Sequence, residues 1–286
     1  MNSRAITKFV LAALCVVLPA VWFAGASVVD RGPIRERVRA ADAEYERGVA
    51  QSADAKSDLD ASRESFRAAA RAYEAAQSES HLDTAALAYN LGNARLRAGE
   101  LPGAIAAYRR ALVLDPSDAR ALHNLEQARR QVQQRVAPPA PSRAEILRDE
   151  WFVLGASSRM ALTLTLWSLG FALLTLAVLG TQAELAWRKP ASLRRAGLAL
   201  IALAVIVGAT VVGDTLAVSG TDLAVISQQS TLRKGNGDGF EPAVAEPLPL
   251  GTECRVGESR PGWTEVELGD RTRGWIKDDA VIRVAR

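Results

Sequence analysis

The chain has 286 residues, 49% of them apolar but only 6% aromatic, with 35 basic against 32 acidic side chains. A formal charge of +3, without basic stretches interleaved with aromatics, argues against nucleic acid as a partner. Two cysteines, Cys15 in an apolar run and Cys254 near the C-terminus, supply no disulfide framework.

Neither His81 nor His123 has cysteine or carboxylate neighbours at metal-ligand spacing. No G-x-S-x-G, H-E-x-x-H or Walker-type loop is present. The expectation is therefore a protein that is not an enzyme and holds no cofactor or metal.

At the N-terminus, Arg4 and Lys8 precede an uncharged run from Phe9 to Ala26, ending in Ala24-Gly25-Ala26. Residues 1–26 read as a signal peptide cleaved after Ala26, with an uncleaved anchor as the alternative. A lipid anchor on Cys15 is disfavoured, because bulky Leu14 precedes it and the apolar run continues beyond.

Residues 33–135 are rich in good helix formers, with apolar positions recurring at i, i+3, i+4 and i+7. Within them, Ala85–Asp118 resembles the tetratricopeptide repeat: Leu91 and Gly92, Gly99 at the turn, then Ala104, Tyr108, Ala111 and Pro116. Gly92 and Ala104 let two helices approach closely, and Pro116 stops the chain. Ala88 and Arg95 depart from the pattern, which usually has large aromatics there. Phe66, Ala69, Tyr73 and Ala76 repeat the second-helix pattern upstream. Its partner helix is either Ile34–Val49, with Tyr45, or the polar stretch after it. Downstream, Ala119–Val132 reads as a capping helix, giving about two repeats plus a cap.

The first helices of such repeats line a concave groove. The resemblance places Tyr89, Asn93, Leu96 and Arg97 there, joined by Arg120, His123, Asn124 and Gln127. Arginine grips carboxylates and asparagine both donates and accepts, which suits an extended peptide or chain terminus. Equally, Asn90, Asn93 and Asn124 tie helix to helix.

Residues 136–159 read as a proline-rich linker (APPAPS) and an amphipathic helix at the membrane surface. Two apolar runs, 160–181 and 196–213, are predicted transmembrane helices, joined by a basic loop, 182–195, with Arg188, Lys189, Arg194 and Arg195. The positive-inside rule makes that loop cytoplasmic and both flanks extracytoplasmic. Trp151 and Trp187 sit near the ends of the first run. Asp214, at the end of the second, reads as a carboxylate reaching headgroup water.

Residues 222–286 are short β-prone runs between Gly, Pro and Asp turns, with TEVEL-GD-RTRGWIK as a hairpin and GNGDG as a hairpin tip. This region resembles a bacterial SH3 domain, through Leu250-Gly251-Thr252, Gly262-Trp263, Val266, Leu268 and Gly274-Trp275-Ile276. That resemblance suggests a peptide groove at Phe240, Trp263 and Trp275, with core packing of Trp275 the favoured alternative. Cys254 reads as a small core residue.

The expected fold is thus multidomain: all-α tetratricopeptide repeats, a two-helix transmembrane hairpin, and a small all-β SH3-like barrel. This order resembles the BatE family of aerotolerance-type operons, carried best by DTAALAYNLGNARLRAGELPGAIAAYRRALVLDPSDARALHNLEQARR. The resemblance implies a non-enzymatic scaffold of the bacterial inner membrane. Its implied partners are von Willebrand factor A-type membrane proteins and, indirectly, a MoxR-type ATPase. A cell-envelope protein that binds peptidoglycan peptides through the SH3-like region is the competing expectation.

Overall fold

The computed structural model describes residues 32–53, 59–80, 84–132, 137–141, 156–182, 190–219 and 222–284. The signal segment with Cys15, His81, the amphipathic helix with Trp151, loop residues 183–189 with Trp187, and the Asp214 side chain lie outside the described residues. Two compact units emerge: Leu154–Leu216 belong to one, and Arg31–Val153 with Ala217–Arg286 to the other.

Among the described residues of the larger unit, five helices stack in chain order: α1 (Gly32–Ala53), α2 (Leu59–Ser80), α3 (Ala85–Ala98), α4 (Leu101–Leu114) and α5 (Ala119–Gln131). α1 is the partner that packs on α2. Tyr45 meets Phe66 edge-on at 5.3 Å, and Gly48 leaves room for the Phe66 ring. The Gly92 gap serves the same purpose in the next pair: a Cβ there would lie 2.6 Å from the Tyr108 ring.

The ends of these helices follow from local chemistry. Thr84 caps α3, accepting the Leu87 N–H. Gly99, at φ 83°, ends α3 and returns its own N–H to Leu96, while Glu100 returns to Arg95. Pro102 falls in the first turn of α4, where its missing N–H costs nothing. Asp118 caps α5 by accepting the Arg120 and Ala121 N–H groups.

The C-terminal region is a five-stranded antiparallel sheet of order β4-β3-β2-β1-β5. Its strands are β1 (Leu223–Ile226), β2 (Glu253–Arg260), β3 (Trp263–Glu267), β4 (Arg273–Lys277) and β5 (Val281–Arg283). β3 and β4 form the hairpin expected from TEVEL-GD-RTRGWIK. GNGDG is a loop closed by the Arg233–Pro242 bridge. Ala224, Ile226, Leu232, Leu248, Cys254, Val266, Leu268 and Ile276 form the sheet's own core.

β1 is buried along its whole length because it packs on both faces. Ala224 and Ile226 enter the sheet core, whereas Val225 joins Ile105, Tyr108, Leu125 and Val132 of the helical stack. Leu223 and Val284 close over Val113. Sheet and helices therefore share apolar surface, and α5 is not the stack's sole covering. The proline-rich segment also lies against the sheet: Pro139 is buried, and Ala140 O accepts from Arg255 Nη2 at 3.1 Å.

The smaller unit holds α6 (Ala156–Gln182) and α7 (Pro190–Ser219). Ser158–Val178 and Ala191–Gly213, with mean hydropathy 1.9 and 2.5, are long and apolar enough to cross a membrane. α7 itself begins at Pro190, so Arg194 and Arg195 of the basic segment lie within the helix. Gly170 and Gly197 bring the two backbones together; a Cβ on either would lie under 3.0 Å from the other's carbonyl oxygen.

Candidate functional site

The repeat's first-helix residues converge on a hydrogen-bonded cluster. Asn93 Oδ1 on α3 accepts the Tyr108 hydroxyl of α4 at 2.8 Å and Asn124 Nδ2 of α5 at 2.9 Å. Asn124 Nδ2 also reaches the Tyr89 hydroxyl at 3.3 Å. The Tyr89 and Tyr108 rings lie 6.1 Å apart, and the Arg120 guanidinium stands 5.0 Å over Tyr89 while paired with Asp118. Asn93 and Asn124 thus tie three helices together and sit half-buried at a surface.

Beside them is a pocket of about 210 Å³ lined by Asp42, Tyr45, Glu46, Tyr73, Asn90 and Asn93. Tyr73 donates its hydroxyl to Asp42 at 2.5 Å. Burial, reinforced by the Asp42 carboxylate, pushes the Tyr73 phenol well above its ordinary value. Burial does the same to Tyr108, so both hydroxyls remain donors across the physiological range. At Asp118, burial raises the carboxyl but the Arg120 side chain and the cap N–H groups outweigh it, holding the pKa below the usual range.

The other expected groove residues distribute differently. Leu96 packs against the cluster containing Ile105 and Leu125, so it is a core contact. Arg97 is exposed, 5.9 Å over the Phe66 ring. His123 and Gln127 are exposed on α5. Arg95, where the repeat usually has tyrosine, pairs with Glu74 of α2 and donates to Gly103 O.

On the sheet, register places Trp263 and Trp275 on one face of the β3–β4 ladder, with Lys277 opposite Trp263 and Glu265 opposite Trp275. Trp275 is only 8% exposed, on the face away from Ile276, and Arg260 lies 4.8 Å over its ring. Trp263 is half-buried with Lys277 Nζ 5.8 Å from its ring. Phe240 is 51% exposed and rests on Gly235.

The sequence reading missed a second polar centre, where the sheet meets the stack. Glu253, at the start of β2, is 3% exposed. Its carboxylate accepts Arg109 Nε of α4 at 2.5 Å, and Arg129 of α5 through Nε at 2.6 Å and Nη2 at 2.9 Å. Burial raises the Glu253 carboxyl, but the two guanidinium groups outweigh it and hold it below the ordinary range. Arg110 Nη1 adds a bond to Val284 O at 3.1 Å. The available signal was the unbroken apolar LAVI run, which marks a strand buried on both faces, followed by an acid beside core Cys254.

Residues 92–129 match the model of the TPR repeat family. No curated protein and no solved structure matches the chain. The match spans the second half of α3, all of α4 and nearly all of α5, the helices that carry Asn93, Tyr108 and Asn124. A TPR repeat points to protein partners, and therefore to a role in protein–protein interaction.

Proposed function

We propose that the chain is a non-enzymatic, membrane-anchored scaffold whose repeat groove holds an extended segment of a partner protein outside the cytoplasm. The observation that carries this reading is the amide and tyrosine face on the TPR helices, adjoining an open pocket. An extended backbone offers unpaired N–H and C=O groups, which such a face can satisfy.

The two apolar helices anchor this body as a multi-pass hairpin with a cytoplasmic loop. Supporting that arrangement, the helices before the hairpin and the strands after it bury side chains against one another, as Val225 does among Ile105 and Leu125. Segments on opposite sides of a bilayer have no means of doing this. The resemblance to BatE extends the proposal to a Bat-type complex with von Willebrand factor A-type proteins and a MoxR-type ATPase, linked to stress or oxygen tolerance. It also extends it to a signal peptide and to an SH3-like reading of the sheet.

Single-cysteine labelling in intact cells at residues 140, 190 and 280 should report outside, inside and outside. Co-purification from mild detergent should recover a von Willebrand-type partner, and Asn93→Ala with Asn124→Ala should reduce that recovery. A cytoplasmic residue 280, or recovery unaffected by the double substitution, removes the reading. The second reading, peptidoglycan binding, is motivated by exposed Phe240 and by half-buried Trp263 on the β3–β4 ladder. Sedimentation of the full chain with purified cell wall, with and without Phe240→Ala, separates it from the first.

A further inference from the structure

Two of the three helices that build the amide cluster, α4 and α5, also grip Glu253. On α4, Tyr108 donates to Asn93 while the next residue, Arg109, binds Glu253. On α5, Asn124 donates to Asn93 while Arg129 binds Glu253. Neighbouring helical residues point about 100° apart, and residues five apart about 140°. Each helix is therefore held on two different sides.

The demands on spacing are the same at both ends. Asn93 Oδ1 receives one hydrogen bond from α4 and one from α5, at 2.8 and 2.9 Å. Both lengths hold only while α4 and α5 keep their separation. The Glu253 carboxylate likewise bridges α4 and α5, with its two oxygens committed to guanidinium groups. Val225 wedges into the same α4–α5 cluster through Ile105, Tyr108 and Leu125.

We infer that Glu253 is a positioning residue for the groove: by bridging Arg109 and Arg129 it fixes the α4–α5 spacing on which the Tyr89–Asn93–Asn124 cluster depends. This rests on the reading of that cluster as a binding face and adds its control, because occupancy of the groove and docking of the sheet are then linked in both directions. A partner that pulls on the sheet loosens the groove, and a bound segment tightens the sheet's attachment.

The test needs no ligand, so its outcome is independent of whether the groove binds peptide. The full chain in detergent micelles, labelled at the tyrosine ζ carbons, reports the Tyr108 phenol by NMR. Amide exchange read by mass spectrometry follows α1–α2, α4–α5 and β1 separately. Glu253→Gln should shift the Tyr108 signal and speed α4–α5 exchange at least tenfold, with α1–α2 protection retained. Glu253→Asp should restore part of both. The inference is overturned if β1 loses protection while the Tyr108 signal and α4–α5 exchange stay as in the parent. If Glu253→Gln unfolds the whole unit, Arg129→Lys, which keeps the charge but not the two-bond grip, decides by the same readings.

Discussion

Gly92→Ala tests the packing logic of the repeat at its tightest point. An alanine Cβ would sit 2.6 Å from both Cδ1 and Cε1 of Tyr108, so the ring or the helix must move by about 1 Å to reach ordinary contact. Tyr108 is fully buried and its hydroxyl is committed to Asn93, so the ring has no free direction of retreat. Overpacking of this kind costs about 1–3 kcal/mol, and stretching the hydroxyl bond about 1 kcal/mol more. Against that stands a helix-propensity gain of about 0.8–1 kcal/mol for replacing glycine. The expected net loss is about 1–3 kcal/mol, lowering the melting midpoint by roughly 3–10 °C for a body of this size. Circular dichroism melts of the purified full chain in one detergent would measure it. Pairing Gly92→Ala with Tyr108→Leu should be less damaging than the sum of the two, by about 1 kcal/mol or more. A stabilised Gly92→Ala protein, behaving as an exposed helical glycine would, refutes the reasoning.

Three further outcomes follow from the same contacts. Glu253 has its carboxyl held below the ordinary glutamate value of 4.5, so its contribution is present above that value and lost as pH falls through the lowered one. Protonation withdraws the carboxylate from Arg109 and Arg129; β1 exchange protection should therefore drop below about pH 4.5, and Glu253→Gln should remove that step. Burial pushes the Cys254 thiol up to about 12, so in a Cys15→Ser background a disulfide reagent at pH 8 should modify it only as fast as the sheet opens. Asp118→Ala should cost about 1 kcal/mol through the lost α5 cap, whereas Arg120→Ala, removing a 70%-exposed partner, should cost less than loss of the cap.

The repeat was legible because its signals are local. Gly99, Pro102 and Pro116 punctuate the chain within a few residues of the turns they make, and Gly92 with Tyr108 encodes one helix contact. The partner of α2 needed the structure. Val38, Ala41 and Tyr45 reach the shared apolar cluster, while the competing polar stretch supplies the end of α1 and the start of α2. Glycine at 48 under Phe66 was the overlooked clue, since it repeats the Gly92–Tyr108 device.

The candidate site was half legible. Tyr89, Asn93, Arg120 and Asn124 do meet, and the alternative in which the asparagines tie helix to helix is seen at Asn93 and Asn124 in the same geometry. Leu96 is half-buried against the apolar cluster that contains Ile105 and Leu125. The contact of Arg109 with Glu253 spans 144 residues of sequence, beyond the reach of any periodicity.

That long separation also bears on why a carboxylate is buried there. The apolar patch formed by Ile105, Val113, Leu125 and Val132 is complete once α5 is made, yet its cover, Leu223, Val225 and Val284, follows two membrane-length helices later. Apolar surfaces alone tolerate sliding, and β1 shifted by one residue would present Ala224 and Ile226 instead. A buried ion cluster adds little net stability over well-packed apolar side chains, but leaving one member unpaired costs about 3–5 kcal/mol. Glu253 meets Arg109 and Arg129 together only in the register that also seats Val225. Its energetic effect therefore falls mainly on the misdocked arrangements, so a late-arriving sheet that settles at all settles in one place.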